Sequence, residues 1–345
     1  MTETTAYRAL ALQVRCRAVN LLGKDEARAS MLATIARIDA QIGASKGFIG
    51  SDVRLVVLPE YFLTSFPVGD PLPAWRDKAA IAPDGAEATA LAAVAQKHNV
   101  FLAGNAYETD PGFPDLYFQS CLVWSPSGEL VLRYRRLISM FAPSPWDVWD
   151  AFLDRYGIDA VFPVAATEIG KLAAIASEEI LYPEIARAHA VKGAEILLHS
   201  TSETGSPDLT PKDIAKRARA LENLVYVVSA NSGGIEGTPM PENSTDGMSK
   251  LIDYTGRVLA VADTGETMAA NAELDLAALR RNRARVGMGN LLARQALGPF
   301  SETYAAEIHP KNTMWRDGKV AVPDRSVFVE RQRNVIAALT ARGVL

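Results

Sequence analysis

Apolar and polar positions alternate along residues 7–19, with Leu10, Leu12, Val14 and Cys16 on one side, which predicts a half-covered strand. Residues 25–42 place Met31, Ile35, Ile38 and Ile42 at helical spacing, and Gly43 is expected to end that helix. A short unbroken apolar run at 55–58 follows, read as a strand buried on both faces, and Pro59, Glu60 and Tyr61 close it. A helix over 84–98, strands over 100–107 and 116–124, a turn at 125–128 and a strand over 129–134 complete the first half. Residues 138–157, rich in tryptophan and proline, read as a long loop of the kind that lines a site or an interface. The second half repeats the rhythm. It has strands at 171–176, 194–199 and 224–230 and helices at 183–192 and 209–222. Hairpin strands near 249–254 and 257–262 follow, with a last strand near 268–274. Strands mixed with helices and hairpins indicate α/β architecture with mixed sheets rather than one parallel sheet.

The stretch 171–199 gives this pattern its centre. An apolar strand, 172–176, turns through Ser177, Glu178 and Glu179. Pro183 and Glu184 then open an alanine-rich helix that Gly193 ends. A strand–turn–helix of this kind holds a hydroxyl or thiol at an exposed elbow, and here the elbow carries Ser177.

Composition narrows the function. At 345 residues and 48% hydrophobic, the chain can bury a large core, and a net charge of −4 gives no reason to expect nucleic acid or an acidic membrane as partner. No apolar run reaches 18 residues, and the polar start is not a signal peptide. The two cysteines, Cys16 and Cys121, and the four scattered histidines form no metal spacing, so no metal or cofactor is expected. So few thiols in a chain of this size predict a reduced, cytoplasmic setting.

Three stretches together resemble the nitrilase, or carbon–nitrogen hydrolase, superfamily. They are LVVLPEYFLTSF at 55–66, GELVLRYRRL at 128–137 and the elbow segment at 170–199. FLAGNAYE at 101–108, ENLVYVVSANSGG at 222–234 and GMSKLIDYTGRVLA at 247–260 support them, so the resemblance covers roughly residues 7–275. It implies a four-layer α-β-β-α sandwich, a small-molecule substrate and a homodimer or higher homo-oligomer. Residues 1–275 would form the hydrolase-like domain, and 276–345 a C-terminal extension that contacts another copy. It further implies Glu, Lys and Cys chemistry, in which a thiolate attacks a nitrile or amide carbon, the glutamate moves the proton and the lysine steadies the oxyanion.

Carried over residue by residue, Glu60 matches the glutamate, while the lysine position, counted from Tyr134, holds Arg136. The cysteine position, counted back from Pro183, holds Ser177, either a natural serine or a replacement of a cysteine. Arginine cannot shuttle a proton, although it can hold an oxyanion or a carboxylate bidentately. Paired with Glu60, it would favour binding an anion or polar group over proton abstraction. Two readings follow. One is hydrolysis of a small nitrile, amide or carbamoyl compound, with Glu60 as base, Arg136 as anchor and Ser177 as nucleophile. The other is a noncatalytic or divergent member that binds a small ligand or runs non-hydrolytic chemistry in the same pocket. Tyr61, Glu178, Tyr182 and Trp146 are candidate pocket residues, with packing the plainer role for the aromatics. His199 is a weaker candidate at a strand end, and Glu179 and Asn231 are expected to be structural.

Overall fold

The computed structural model describes residues 6–204, 209–245, 247–305 and 308–345. Two six-stranded sheets form its middle layers. The first runs Asn271–Asp275, Ala6–Ala11, Val53–Glu60, Phe101–Thr109, Tyr117–Trp124, Leu130–Arg135, with the second, third and fourth of these parallel and the rest antiparallel. The second runs Val258–Val261, Lys250–Ile252, Tyr226–Asn231, Ile196–Thr201, Gly170–Ala176, Ala165–Thr167, around a parallel centre of three. Helices Lys24–Ile49 and Ala86–His98 cover the first sheet, and Pro183–Val191 and Pro211–Asn223 cover the second. This is the expected α-β-β-α sandwich.

The period of two along each strand builds the layers. Leu10, Val56, Leu58 and Leu102 join the core under the helices of the first sheet. Their neighbours Ala9, Ala11, Leu55, Val57 and Ala103 face the core shared with the second sheet. Both faces are therefore buried, which is why the central strands read as continuous apolar runs.

Several elements differ from expectation. The strand expected over 7–19 is two pieces, Ala6–Ala11 and Cys16–Arg17, and the second pairs with Ile235–Glu236. Between them the buried Gln13 donates to the carbonyls of Asp263 (2.5 Å) and Gly265 (2.6 Å) and accepts from the amide of Ser249 (2.9 Å), which breaks the alternation. The first helix does not stop at Gly43 but runs to Ile49. A Cβ at Gly43 would stand 3.2 Å from His98 Cε1, so the glycine serves helix packing, and Gly50, at φ +139°, ends the helix instead. The segment 138–157 is not a plain loop. It contains a 3₁₀ turn, Pro145–Val148, and a helix, Trp149–Tyr156, seated by buried Val148 and Phe152.

The C-terminal stretch folds back on its own chain. Leu276 and Leu279 of helix Leu276–Ala284 enter the second-sheet core, and Arg280 pairs with Glu195 at 2.6 Å. Further on, Met314 and Phe328 join the core beside the first sheet, and Arg331 pairs with the buried Asp147. Among the described residues, no helix is long and apolar enough to cross a membrane.

A side-chain hydrogen bond ties the two sheets together beneath the strand ends that carry Glu60. The buried Ser200 hydroxyl donates to the carbonyl of Leu58 at 2.7 Å, two residues before Glu60. Ser200→Ala leaves that carbonyl unsatisfied and is expected to lower stability by about 1–3 kcal/mol. A denaturant titration would show this as a lower midpoint at unchanged slope.

Candidate active site

Glu60 ends strand Val53–Glu60 and is 2% exposed. Its Oε1 accepts from Gln119 Nε2 (2.7 Å) and Arg136 Nη1 (3.3 Å), and Gln119 Nε2 also reaches Asn105 Oδ1 at 2.9 Å. Tyr61, next in sequence, takes a left-handed conformation (φ 55°) and stacks on Tyr107 with ring centroids 5.4 Å apart. Burial and the neighbouring Glu60 charge push the Tyr61 phenol well above its ordinary range, so it stays protonated beside the carboxylate.

Arg136 follows strand Leu130–Arg135 and is 5% exposed. Each guanidinium nitrogen is engaged. Nε donates to the Ile138 carbonyl (2.7 Å), Nη1 to Glu60 and to Gln119 Oε1 (2.9 Å), and Nη2 to Glu178. Burial alone would favour losing the proton, but the negative charges of Glu60, Glu178 and Glu179 outweigh it and hold the guanidinium charged.

Ser177 follows strand Gly170–Ala176, with φ 48° and 4% exposure. A left-handed serine costs about 1–2 kcal/mol, so the surroundings must impose it. Two buried side chains do. Glu179 accepts from the amides of Ala176 (3.2 Å), Leu137 (2.8 Å) and Ile138 (3.0 Å) and from the Tyr134 hydroxyl (2.9 Å). It thereby stitches the elbow to the segment that carries Arg136, and burial raises its carboxyl above the usual range. From the other side His199 Nε2 donates to the Ser177 carbonyl at 2.9 Å, while Nδ1 lies 2.9 Å from Ser229 Oγ and accepts from it. Burial and the nearby Lys216 charge hold this imidazole neutral, well below its ordinary range. His199 is thus a prop of the elbow.

The structure therefore joins Glu60, Arg136 and Glu178 into one chain of charges leading to the Ser177 elbow. Tyr61 lies at one end, and the exposed Tyr182 lies near the Glu178 charge at the other. Trp146 lies elsewhere in its contacts. Its ring packs 4.8 Å from Trp149, its Nε1 donates to the His309 carbonyl (3.2 Å), and both rings line a cavity of about 480 Å³ with Tyr304 and Lys311. Cys16 and Cys121 are buried and their thiols are pushed up to about 12, which leaves them protonated and inert. Asn231 is structural: its Oδ1 accepts from the Glu203 amide at 2.7 Å.

Two residues of the site escaped the sequence reading. Gln119 was visible only as a polar break inside the strand YFQSCLVW, and it holds both Glu60 and Arg136. Lys212, whose Nζ lies 3.2 Å from Ser177 Oγ, is distant in sequence from every motif. Among the described residues no cluster of three His, Cys, Asp or Glu side chains is placed to hold a metal ion.

Two sheets packed face to face, with helices outside and the acid, the cation and the hydroxyl at the strand ends, make this a nitrilase-fold protein. The family profile described as Carbon-nitrogen hydrolase matches residues 20–284, and the chain belongs to that family. A probable nitrilase of Schizosaccharomyces pombe is 26% identical over 65% of this chain and 76% of its own length. A formamidase of Bacillus cereus is 29% identical over 61% of this chain, which spans only 60% of that relative. Among solved structures, a carbon-nitrogen hydrolase from Helicobacter pylori shares the fold with a TM-score of 0.67 at 21% identity, covering 87% of this chain and 98% of its own. Saccharomyces cerevisiae Nit3 does so with a TM-score of 0.64 at 20% identity, covering 83% and 96%.

The neutral, buried His199 gives a pH test. Its imidazole takes up a proton near pH 6.5 in the unfolded chain but only at lower pH in the folded one. The stability it supplies is complete above about pH 6.5 and is lost as pH falls, by up to about 1.4 kcal/mol per unit. Glu179, raised by burial, works in the opposite direction. The readout is therefore the difference between the parent and His199→Gln, with denaturant midpoints measured at pH 7.5 and 5.5. The parent is expected to lose more stability on acidification.

Proposed function

We propose that this chain hydrolyses a carbon–nitrogen bond of a small amide, nitrile or carbamoyl compound, with Glu60 as base, Arg136 as oxyanion or substrate anchor and Ser177 as nucleophile. In the family's scheme these stand in the glutamate, lysine and cysteine positions. The observation that carries the reading is the Glu60–Arg136–Glu178 chain, its first two members buried and Glu178 partly exposed, which ends at a serine held left-handed on a strand-to-helix elbow. Strain imposed at one residue beside buried charges is characteristic of a working site. Relatives named formamidase and probable nitrilase support the class of bond. Tyr61, Glu178 and Tyr182 border the reacting centre.

A serine hydroxyl needs a base where a thiol is already partly ionised. Ammonia release from a panel of small amides, nitriles and carbamoyl compounds is expected to fall by about 10²–10⁴ in Glu60→Gln and to rise in Ser177→Cys. Release of no ammonia by either the parent or Ser177→Cys contradicts the reading.

A second reading rests on the engagement of all three Arg136 nitrogens by groups of the protein itself. On that account the site binds a small ligand without turning it over, and activity appears only in the Arg136→Lys, Ser177→Cys double variant. Calorimetry would then give saturable binding by a parent that has no turnover.

The protein acts as a homo-oligomer on a small molecule in the cytoplasm, without nucleic acid or membrane. Val286 and Met288 in the C-terminal extension and Val191, Ile214 and Leu221 on the outer helices stay exposed in the single chain, which supports contacts between copies. Light scattering during gel filtration is expected to give the mass of at least two chains, and a monomer at micromolar concentration contradicts this.

A further inference from the structure

The cation in contact with Ser177 is a lysine, and it comes from a different element than Arg136. Lys212 Nζ donates to Ser177 Oγ at 3.2 Å and to Thr201 Oγ1 at 3.4 Å. Arg136, whose three nitrogens are taken up by Ile138, Glu60, Gln119 and Glu178, is a support for the carboxylates rather than for the hydroxyl.

Helix stability does not explain this lysine. It is the second residue of helix Pro211–Asn223, where a positive charge opposes the helix dipole and costs a few tenths of a kcal/mol. The turn that carries it is nonetheless fixed by charges in the interior. Thr210 Oγ1 caps the helix by accepting from the Asp213 amide at 3.2 Å. The Asp213 carboxylate pairs with Lys250 and with Lys216 (3.3 Å), and Lys216 also pairs with Glu203 at 3.0 Å. Glu203 is tied through its amide to Asn231, at the end of the neighbouring strand. This network sets the start of the helix against the strand ends, which places the Lys212 ammonium beside the hydroxyl.

We propose that Lys212 is a catalytic residue of this site, holding the Ser177 hydroxyl and stabilising the negative charge that develops on Oγ as it attacks. The role rests on the hydrolase reading above. For an amide, the Oγ–carbon bond forms as the carbonyl pair moves onto its oxygen and the hydroxyl proton passes to the Glu60 carboxylate. Collapse breaks the carbon–nitrogen bond, and the nitrogen leaves with that proton. Water then cleaves the ester, giving one proton to Glu60, which returns it to Oγ. Lys212 neither gains nor loses a proton. Its charge lowers the energy of each alkoxide-like stage.

The test combines Lys212→Met with two backgrounds and a second reaction. In the parent, Lys212→Met is expected to lower kcat about a hundredfold with KM little changed, as loss of one preorganised donor does. In the Ser177→Cys background the same change should cost much less, because a thiol ionises without that help. A serine-directed fluorophosphonate, from whose phosphorus Ser177 Oγ would displace fluoride, should label the parent on the Ser177 peptide and label Lys212→Met far more slowly. An undiminished kcat in Lys212→Met overturns the inference and leaves the hydrolase reading standing. An equal loss in both backgrounds overturns it too, since that marks a structural effect. If neither parent nor Ser177→Cys hydrolyses anything, the hydrolase reading fails. Labelling then decides for Lys212: Lys212-dependent labelling of Ser177 supports the contact, and absence of labelling overturns it.

Discussion

Taking an ion out of water costs several kcal/mol unless partners of opposite charge and further hydrogen bonds replace the lost solvent. Arg136 meets that requirement with two carboxylates from different sheets: Glu60 from a strand end of the first and Glu178 from the elbow of the second. The buried guanidinium therefore fixes how the two halves of the sandwich meet where their strands end. Removing either carboxylate strands a buried charge, which is far more damaging than the net worth of the pair. An arginine suits this place better than a lysine because its planar fork reaches four acceptors in fixed directions.

The surrounding layer follows from the same constraint. Glu179 holds together the elbow strand, the segment after Arg135 and Tyr134, and His199 props the elbow from below. These contacts account for a serine kept at φ 48° in the interior. On the far side of Ser177 a second group of buried charges, Lys216, Glu203, Asp213 and Lys250, orders the first turn of a helix. The hydroxyl thus lies between two rigid ionic networks, each built from residues that do not themselves touch it.

The layers of the fold were legible in the sequence because burial on both faces leaves a plain mark, unbroken apolar runs such as Leu55–Leu58 and Leu172–Ala176. Elements whose ends depend on partners far along the chain were not. Nothing near Gly43 reveals that His98 will pack against it, and nothing near Gln13 shows that it will satisfy the loop carrying Asp263 and Gly265. The site divides in the same way. Glu60, Arg136 and Ser177 stand in local motifs that mark strand ends, so their places were readable. Gln119 and Lys212 enter through tertiary packing alone. Arg136 and Ser177 could be singled out from the residues, yet what they touch depended on geometry: the arginine pairs with two carboxylates, and the hydroxyl meets Lys212 instead.

The proposed hydrolysis requires Ser177 to act as the nucleophile with Glu60 as its base. Intact-protein mass spectrometry of the unaltered chain, quenched during turnover of a small amide or activated ester and followed by peptide mapping, tests this most directly. An acyl group on the peptide containing Ser177 is the predicted result. Turnover with no adduct, or an adduct on any other residue, would contradict it.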